Sequence, residues 1–233
     1  MSIRSLIVVL LAAWLCMGCA SRSVPARAQL PHPEDSVVRV DPIGPDGAPV
    51  RPCAGTVILG GRVVTALDSV KDAKEVWVTS RTGHRCRVAG VIGSSPKYNI
   101  IIFTVNWARE YPPPLRMADP PPPGRANVSV LPAPGLDGLA PLQTEATIPE
   151  GAAALAVWSA GVPDFHYFGS PTIDSQGRLL GVVARLTTGM QVSASTSPVK
   201  PVSYYTAYGE RVISYVETST ETPWNQWAAA SHK

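Results

Sequence analysis

Residues 53–69 read CAGTVILGGRVVTALDS, and this stretch decides the fold. It holds two runs of apolar and β-branched residues, 56–59 and 63–67, separated by Gly60 and Gly61. Residues of this kind favour strands, and a glycine pair between two such runs favours a turn. The stretch therefore predicts two short strands joined by a turn.

Strand-like runs continue on both sides, with turn signals such as GPDG, RTGH and SSPKYN between them. The first series covers 36–40, 56–59, 63–67, 75–79, 87–92 and 100–105. After a proline-rich stretch, a second series covers 127–131, 142–147, 153–158, 170–173, 179–185 and 202–206. An amphipathic segment at 210–218 predicts a helix. We therefore predict an all-β fold of two six-stranded antiparallel β-barrels with a C-terminal helix.

The order of these patterns divides the chain into six parts. We predict a signal peptide, a flexible tether, the first barrel, a proline-rich linker, the second barrel with its helix, and a tail. Their bounds are 1–18, 19–35, 36–111, 112–124, 125–218 and 219–233.

The N-terminus predicts export. Arg4 precedes an apolar run at 6–15, which has the length of a signal peptide and is short for a membrane-spanning helix. The run ends at Gly18 and Cys19, a pattern that resembles a bacterial lipoprotein signal. The resemblance implies acylation of Cys19, and Ala20 after it implies the outer membrane. We expect the protein in the cell envelope, held by lipid and facing the periplasm.

The overall charge argues against a nucleic-acid partner. The formal net charge is only +3 over 233 residues, and the basic residues are scattered along the chain. We predict no cofactor and no metal, because no pattern of ligands at a characteristic spacing is present.

The stretch 53–69 also resembles the start of the trypsin-like serine proteases, nearest the bacterial heat-shock-type proteases. In that family a Cys-Gly-Gly-Ser strand is followed by a turn and an apolar strand that ends in Ala-Ala-His-Cys. The spacing matches without a gap from Cys53 to Ala66. The position of the family's general-base histidine is then Asp68, and that of its usual partner cysteine is Ser69.

Two later landmarks of the family follow in the right order. SSPKYNIIIF, at 94–103, is similar to the segment that carries the catalytic aspartate, and Asn99 stands in its place. HYFGSP, at 166–171, is similar to Gly-Asp-Ser-Gly-Gly-Pro, and Phe168 stands in the place of the nucleophile. The resemblance implies a trypsin-like double barrel whose catalytic positions are Asp68, Asn99 and Phe168.

Those three residues cannot perform the family's chemistry in the family's way. Phe168 has no nucleophilic atom, and an aspartate carboxylate is a weaker general base near neutral pH than the histidine it replaces. From the sequence we therefore expect an inactive homologue rather than an enzyme. The leading functional hypothesis is a non-catalytic, envelope-anchored module that binds an extended peptide or a protein by strand addition.

Other interpretations stay open at this stage. His166 and Ser170 flank the former nucleophile turn and could form a rearranged serine-type hydrolase site. His84 with Cys53 and Cys86 offers three possible metal ligands, but without a metal-binding spacing. The chain could also be a structural lipoprotein subunit of an envelope assembly.

The cysteines predict one disulfide. Cys16 leaves with the signal peptide and Cys19 is acylated, so Cys53 and Cys86 remain as an even pair in an oxidising compartment. In the trypsin-like family the cysteine at the position of Cys53 usually bonds a cysteine at the position of Ser69. Because Ser69 cannot form that bond, the resemblance leaves Cys86 as the partner of Cys53.

Overall fold

The computed structural model describes the backbone of nine segments of the chain, and all statements below concern these residues. They are 31–96, 98–108, 111–119, 122–136, 138–148, 155–158, 165–185, 204–208 and 220–231. The predicted signal peptide, Cys16, Cys19 and the predicted helix at 210–218 lie outside them.

Thirteen strands and one α-helix follow one another along these segments. The strands are β1 (Val37–Ile43), β2 (Cys53–Ile58), β3 (Arg62–Ala66), β4 (Glu75–Thr79), β5 (Arg85–Ser95), β6 (Ile100–Val105), β7 (Gly124–Val130), β8 (Leu142–Ile148), β9 (Leu155–Trp158), β10 (Pro171–Ile173), β11 (Leu179–Arg185), β12 (Tyr204–Tyr208) and β13 (Thr222–Pro223), and the helix is α1 (Trp224–Ser231).

The first six strands form one antiparallel sheet in the order β5-β4-β1-β2-β3-β6. Its two ends are joined because β5 also pairs with β6, from Val88 to Ser95. Strands β7 to β12 form a closed barrel in the order β10-β11-β12-β9-β8-β7. The predicted pair of six-stranded antiparallel barrels is confirmed, and the strand positions lie within a few residues of those expected.

Strand β2 lies where the two barrels meet. All six of its residues are buried, whereas β1 and β4 alternate between buried and half-exposed positions. Alternation is typical of a strand with one face in a core, and continuous burial requires cover on both faces. The second cover comes from the segment before β10, since Ala54 N donates to Phe168 O at 2.9 Å.

A C-terminal helix is present: α1 comprises Trp224–Ser231, in the part of the chain predicted to be a tail. Trp224 is 4% exposed, meets Phe103 edge to face at 6.5 Å, and donates its indole N–H to Lys74 O at 3.0 Å. Just before it, β13 pairs with β5 through Thr222. The chain therefore returns to the first barrel at its C-terminus. Among the described residues, no helix combines the length and the apolar character needed to cross a membrane.

Candidate functional site at the junction of the barrels

The structure brings Asp68 and Asn99 into direct contact. Asp68 N donates to Asn99 Oδ1 at 2.8 Å, and Asn99 Nδ2 donates to Asp68 Oδ2 at 3.1 Å. The 3₁₀ turn Leu67–Ser69 after β3 carries the carboxylate, and the turn before β6 carries the amide. The two positions therefore form a hydrogen-bonded pair in which an amide orients a carboxylate.

Local backbone geometry fixes this pair. Asn99 has φ of 51°, in the left-handed region that asparagine tolerates better than most residues, and it is only 2% exposed. Its carbonyl also accepts from Leu67 N at 3.0 Å. On the solvent side, Lys71 Nζ donates to Asp68 Oδ1 at 2.9 Å, and this hydrogen bond, with the carboxylate's charge, raises the pKa of Lys71.

Phe168 lies in a tight turn that precedes β10. The 3₁₀ turn Phe165–Tyr167 leads into it, and Phe168 N donates to Phe165 O at 2.9 Å. Gly169 follows with φ of 81°, a conformation that L-residues rarely adopt. The backbone N–H of the residue in the nucleophile's place is therefore used within the turn.

The turn is fastened to β2 by contacts that only glycine at 169 permits. A Cβ atom there would lie 2.0 Å from Ala54 O and 2.2 Å from Thr65 Oγ1. Thr56 Oγ1 donates to Gly169 O at 2.9 Å, and Thr65 Oγ1 donates to Ala54 O at 2.6 Å. Gly169 and its close contacts with β2 and β3 form a wedge, the glycine wedge, that joins the two barrels at the candidate site. The sequence did not reveal the roles of Ala54, Thr56 and Thr65, because these residues act on the turn around Gly169, which lies more than 100 positions later in the chain.

Aromatic and cationic side chains cover the outside of the turn. The Phe168 ring is buried and lies 4.9 Å from the Phe165 ring, which the Arg51 guanidinium covers at 5.1 Å. His166 Nδ1 lies 3.1 Å from Pro52 O. Arg51 is exposed and Phe165 and His166 are half-exposed, so this cluster forms the surface of the junction.

The structure does not pair His166 with Ser170. Ser170 is 0% exposed, and among the described residues its Oγ has no hydrogen-bond partner. A hydroxyl activated by a histidine must hydrogen-bond to it or come within reach of it. The rearranged serine-histidine site considered from the sequence therefore has no support in this geometry.

The predicted disulfide is wrong, because Cys53 and Cys86 are both free and buried. In the register of the sheet, Cys86 is opposite Val78, Val78 opposite Val40, and Val40 opposite Cys53. Three strand spacings of about 4.8 Å each thus separate the cysteines along the barrel wall. A bridge needs Cα atoms within about 7 Å.

Cys53 is a core thiol. Its Sγ lies 3.6 Å from Thr65 Oγ1. Burial raises the pKa of Cys53 to about 11, while the hydroxyls of Thr65 and Ser69 beside it act in the opposite direction. Ser69 therefore lies next to Cys53. This agrees with the resemblance, in which Ser69 occupies the position of the cysteine that usually pairs with the one at position 53.

The metal ligands considered from the sequence do not converge. His84 is exposed and lies with Thr82 in the turn between β4 and β5, away from the interior position of Cys53. Within the described part of the chain, no group of three or more histidine, cysteine or acidic residues has the arrangement of a metal site.

Comparison with solved structures identifies the fold. The chain is similar to the active form of the Rv3671c protease from M. tuberculosis, with TM-score 0.60 and 24% identity over 81% of this chain and 82% of that one. It is also similar to a serine endoprotease from Yersinia pestis, with TM-score 0.59 and 14% identity over 79% of this chain and 62% of that one. An inactive form of Rv3671c matches with TM-score 0.54 and 24% identity over 78% of this chain and 88% of that one.

No protein-family model matches the sequence, and no curated protein matches it either. The structural matches establish the trypsin-like fold of serine proteases, as the motifs implied. They also correct one expectation. The prediction that the chain is not an enzyme is contradicted, since the solved proteins with this fold are proteases and one is in its active form. What the matches establish for this chain is the trypsin-like fold.

Proposed function

We propose that this chain is an exported, lipid-anchored, protease-like module that binds polypeptide at the junction of its two barrels. The observation that carries the proposal is the rigid attachment of the 165–170 turn to β2. It consists of the Ala54 N–Phe168 O and Thr56 Oγ1–Gly169 O hydrogen bonds, each 2.9 Å long, and the glycine wedge. A surface held in this way loses little entropy when a ligand binds.

The chemistry of the junction surface supports a polypeptide ligand. Phe165 and His166 present half-exposed rings, Arg51 presents a guanidinium, and Asp68 with Lys71 presents a paired carboxylate and ammonium. Aromatic and arginine side chains supply a large part of the energy in most protein interfaces. A stretch of unfolded chain offers both the apolar side chains and the carbonyl oxygens that such groups bind.

Binding is tested with a dye-labelled pool of peptides from denatured casein and the full-length chain, followed by fluorescence anisotropy. We expect saturable binding that Phe165→Ala weakens by roughly fivefold, because a half-buried aromatic contact is worth about 1 kcal/mol. The matched control is Leu59→Ala, which truncates an exposed apolar side chain (75% exposed) in the turn after β2. Absence of binding, or equal losses in both variants, would contradict the proposal.

Mass spectrometry of the same mixtures distinguishes the functional classes. A protease-like module that turns peptides over gives new termini, and the sites of cleavage then report its specificity. A structural subunit of an envelope assembly binds none of the peptides and leaves the anisotropy unchanged.

The anchor is proposed from the sequence alone, since Cys19 lies outside the described residues. Acylation of Cys19 would hold the module at a membrane through the tether predicted at 19–35. The test is fractionation of cells that express the wild type or Cys19→Ala. We expect the variant in the soluble periplasmic fraction, with Cys16→Ala as a control that remains in the membrane fraction. An unchanged distribution of Cys19→Ala would contradict the anchor.

A further inference from the structure

A cavity lies on the first barrel, outside the junction. It encloses about 720 Å³ between the turn that joins β4 to β5 and the segment that follows β6. Its lining consists of Asp35, the polar turn residues Ser80, Arg81, Thr82 and His84, and the aromatic and proline residues Trp107, Tyr111, Pro112, Pro113 and Pro114. The proline-rich stretch expected to be a linker therefore forms one wall of a cavity.

The aromatic wall is held in place by Gly61. Trp107 Nε1 donates to Gly61 O at 2.7 Å. Gly61 has φ of 68°, and a Cβ atom there would lie 2.7 Å from Tyr111 Cγ. The tyrosine ring thus packs directly on the glycine backbone, and it is still 40% exposed. The two rings are oriented before any ligand arrives.

The opposite wall is polar and is ordered by its own hydrogen bonds. Ser80 Oγ and Thr82 Oγ1 lie 2.9 Å apart, and His84 N donates to Ser80 Oγ at 3.1 Å. Among the described lining residues, Asp35 and Arg81 carry fixed charges of opposite sign, and Arg81 is paired with Glu34. The described part of this wall therefore combines hydroxyl, imidazole, carboxylate and guanidinium groups.

We propose that this cavity binds a neutral saccharide of two or three rings. A pyranose ring has an apolar C–H face, which fits an aromatic wall, and hydroxyl groups at its edge, which both donate and accept hydrogen bonds. The volume lies within the range of small-ligand sites.

The position of the cavity argues against an extended peptide as its occupant. The residues that line it lie in turns and connecting segments, and none belongs to a strand. Strand addition needs a row of free main-chain groups at a sheet edge, which these residues do not offer. Recognition must therefore come from side chains, as saccharide binding does.

The test is saturation-transfer NMR and titration of the full-length chain, in a detergent without a sugar headgroup, against chitotriose, maltotriose and cellotriose. We expect at least one trisaccharide to bind, and Tyr111→Ala to weaken it roughly tenfold. Val50→Ala is a control at an exposed apolar residue outside the lining (44% exposed) and should leave the affinity unchanged.

A glycine pair tests the positioning of the aromatic wall. Gly61→Ala pushes the added Cβ into the Tyr111 ring, whereas Gly60→Ala, at a similar φ of 76°, meets nothing closer than 4.0 Å. We expect Gly61→Ala to weaken saccharide binding and Gly60→Ala to preserve it. The proposal is overturned if none of the trisaccharides binds, if Tyr111→Ala binds like the wild type, or if a proline decapeptide binds in their place.

Discussion

Replacing Gly169 by alanine tests the wedge that joins the barrels, and Gly47→Ala is its matched control. Both glycines have φ of 81°, so an alanine at either site carries the same left-handed backbone penalty, roughly 1 kcal/mol. They differ in their surroundings. A Cβ atom at Gly47 meets nothing within 4 Å, whereas at Gly169 it would lie 2.0 Å from Ala54 O.

The additional cost at Gly169 follows from the contacts that must move. To reach an ordinary separation, the turn and β2 must separate by more than about 1 Å. That motion breaks the Ala54 N–Phe168 O bond at 2.9 Å and the Thr56 Oγ1–Gly169 O bond at 2.9 Å. Buried groups left without partners cost about 1–3 kcal/mol each. We therefore expect Gly169→Ala to lower the free energy of unfolding by about 5 kcal/mol, against about 1 kcal/mol for Gly47→Ala.

Urea unfolding followed by circular dichroism measures the difference, and thermal unfolding should show it as a fall in Tm of roughly 10–20 °C for Gly169→Ala. The crowding at Gly169 is refuted if the two variants differ by less than about 1 kcal/mol. A variant that keeps its stability but loses polypeptide binding would show that the turn detaches locally, which contradicts a rigid junction.

Three further predictions concern the core and the site. Because burial raises the pKa of Cys53 from 9.0 to about 11, the folded state holds the thiol proton more tightly than the unfolded chain. The free energy of unfolding should therefore fall by about 3 kcal/mol from pH 9 to 11, a fall that Cys53→Ala should lack in urea titrations. Asn99→Ala and Asn99→Gly both lose the side-chain hydrogen bonds to Asp68. Alanine also carries the strain of a φ of 51°, so Asn99→Ala should unfold at a free energy about 1 kcal/mol lower than Asn99→Gly in the same urea titrations. Equal stability of the two variants would show that the backbone at this position is not strained. Trp224→Ala should destabilise the first barrel by about 3–5 kcal/mol, and a change below 1 kcal/mol would mean that α1 does not support it.

Most strands could be predicted because each is short, apolar and bounded by turn residues. Helix α1 was not predicted from the sequence, and the helix predicted at 210–218 lies outside the described residues. The segment 210–218 has the stronger apolar stripe in sequence, whereas α1 owes its place to Trp224 and Trp227, whose rings lie 5.3 Å apart, and to Ala228 one residue later. That spacing of three and four residues was the available signal, but it covers only eight residues.

The pairing of the cysteines could not be predicted, because it depends on which strands are neighbours. Counting left Cys53 and Cys86 as an even pair, but the order of the strands places β1 and β4 between them. The motif resemblance assigned Asp68 and Asn99 to two catalytic positions of the family, and the structure adds the hydrogen bonds between them. The wedge at Gly169 did not, since no local pattern shows that Ala54 and Thr65 lie against that glycine.

Photo-crosslinking tests the central claim, that polypeptide binds at the junction, most directly. A benzophenone amino acid in place of Phe165 puts the probe on the 165–170 turn beside Arg51, and the same group in place of Leu59 puts it on an exposed turn outside the junction. After irradiation with the labelled casein peptides, we expect covalent adducts at position 165 and none above background at position 59. Adducts at position 59 alone, or at neither position, would contradict the account.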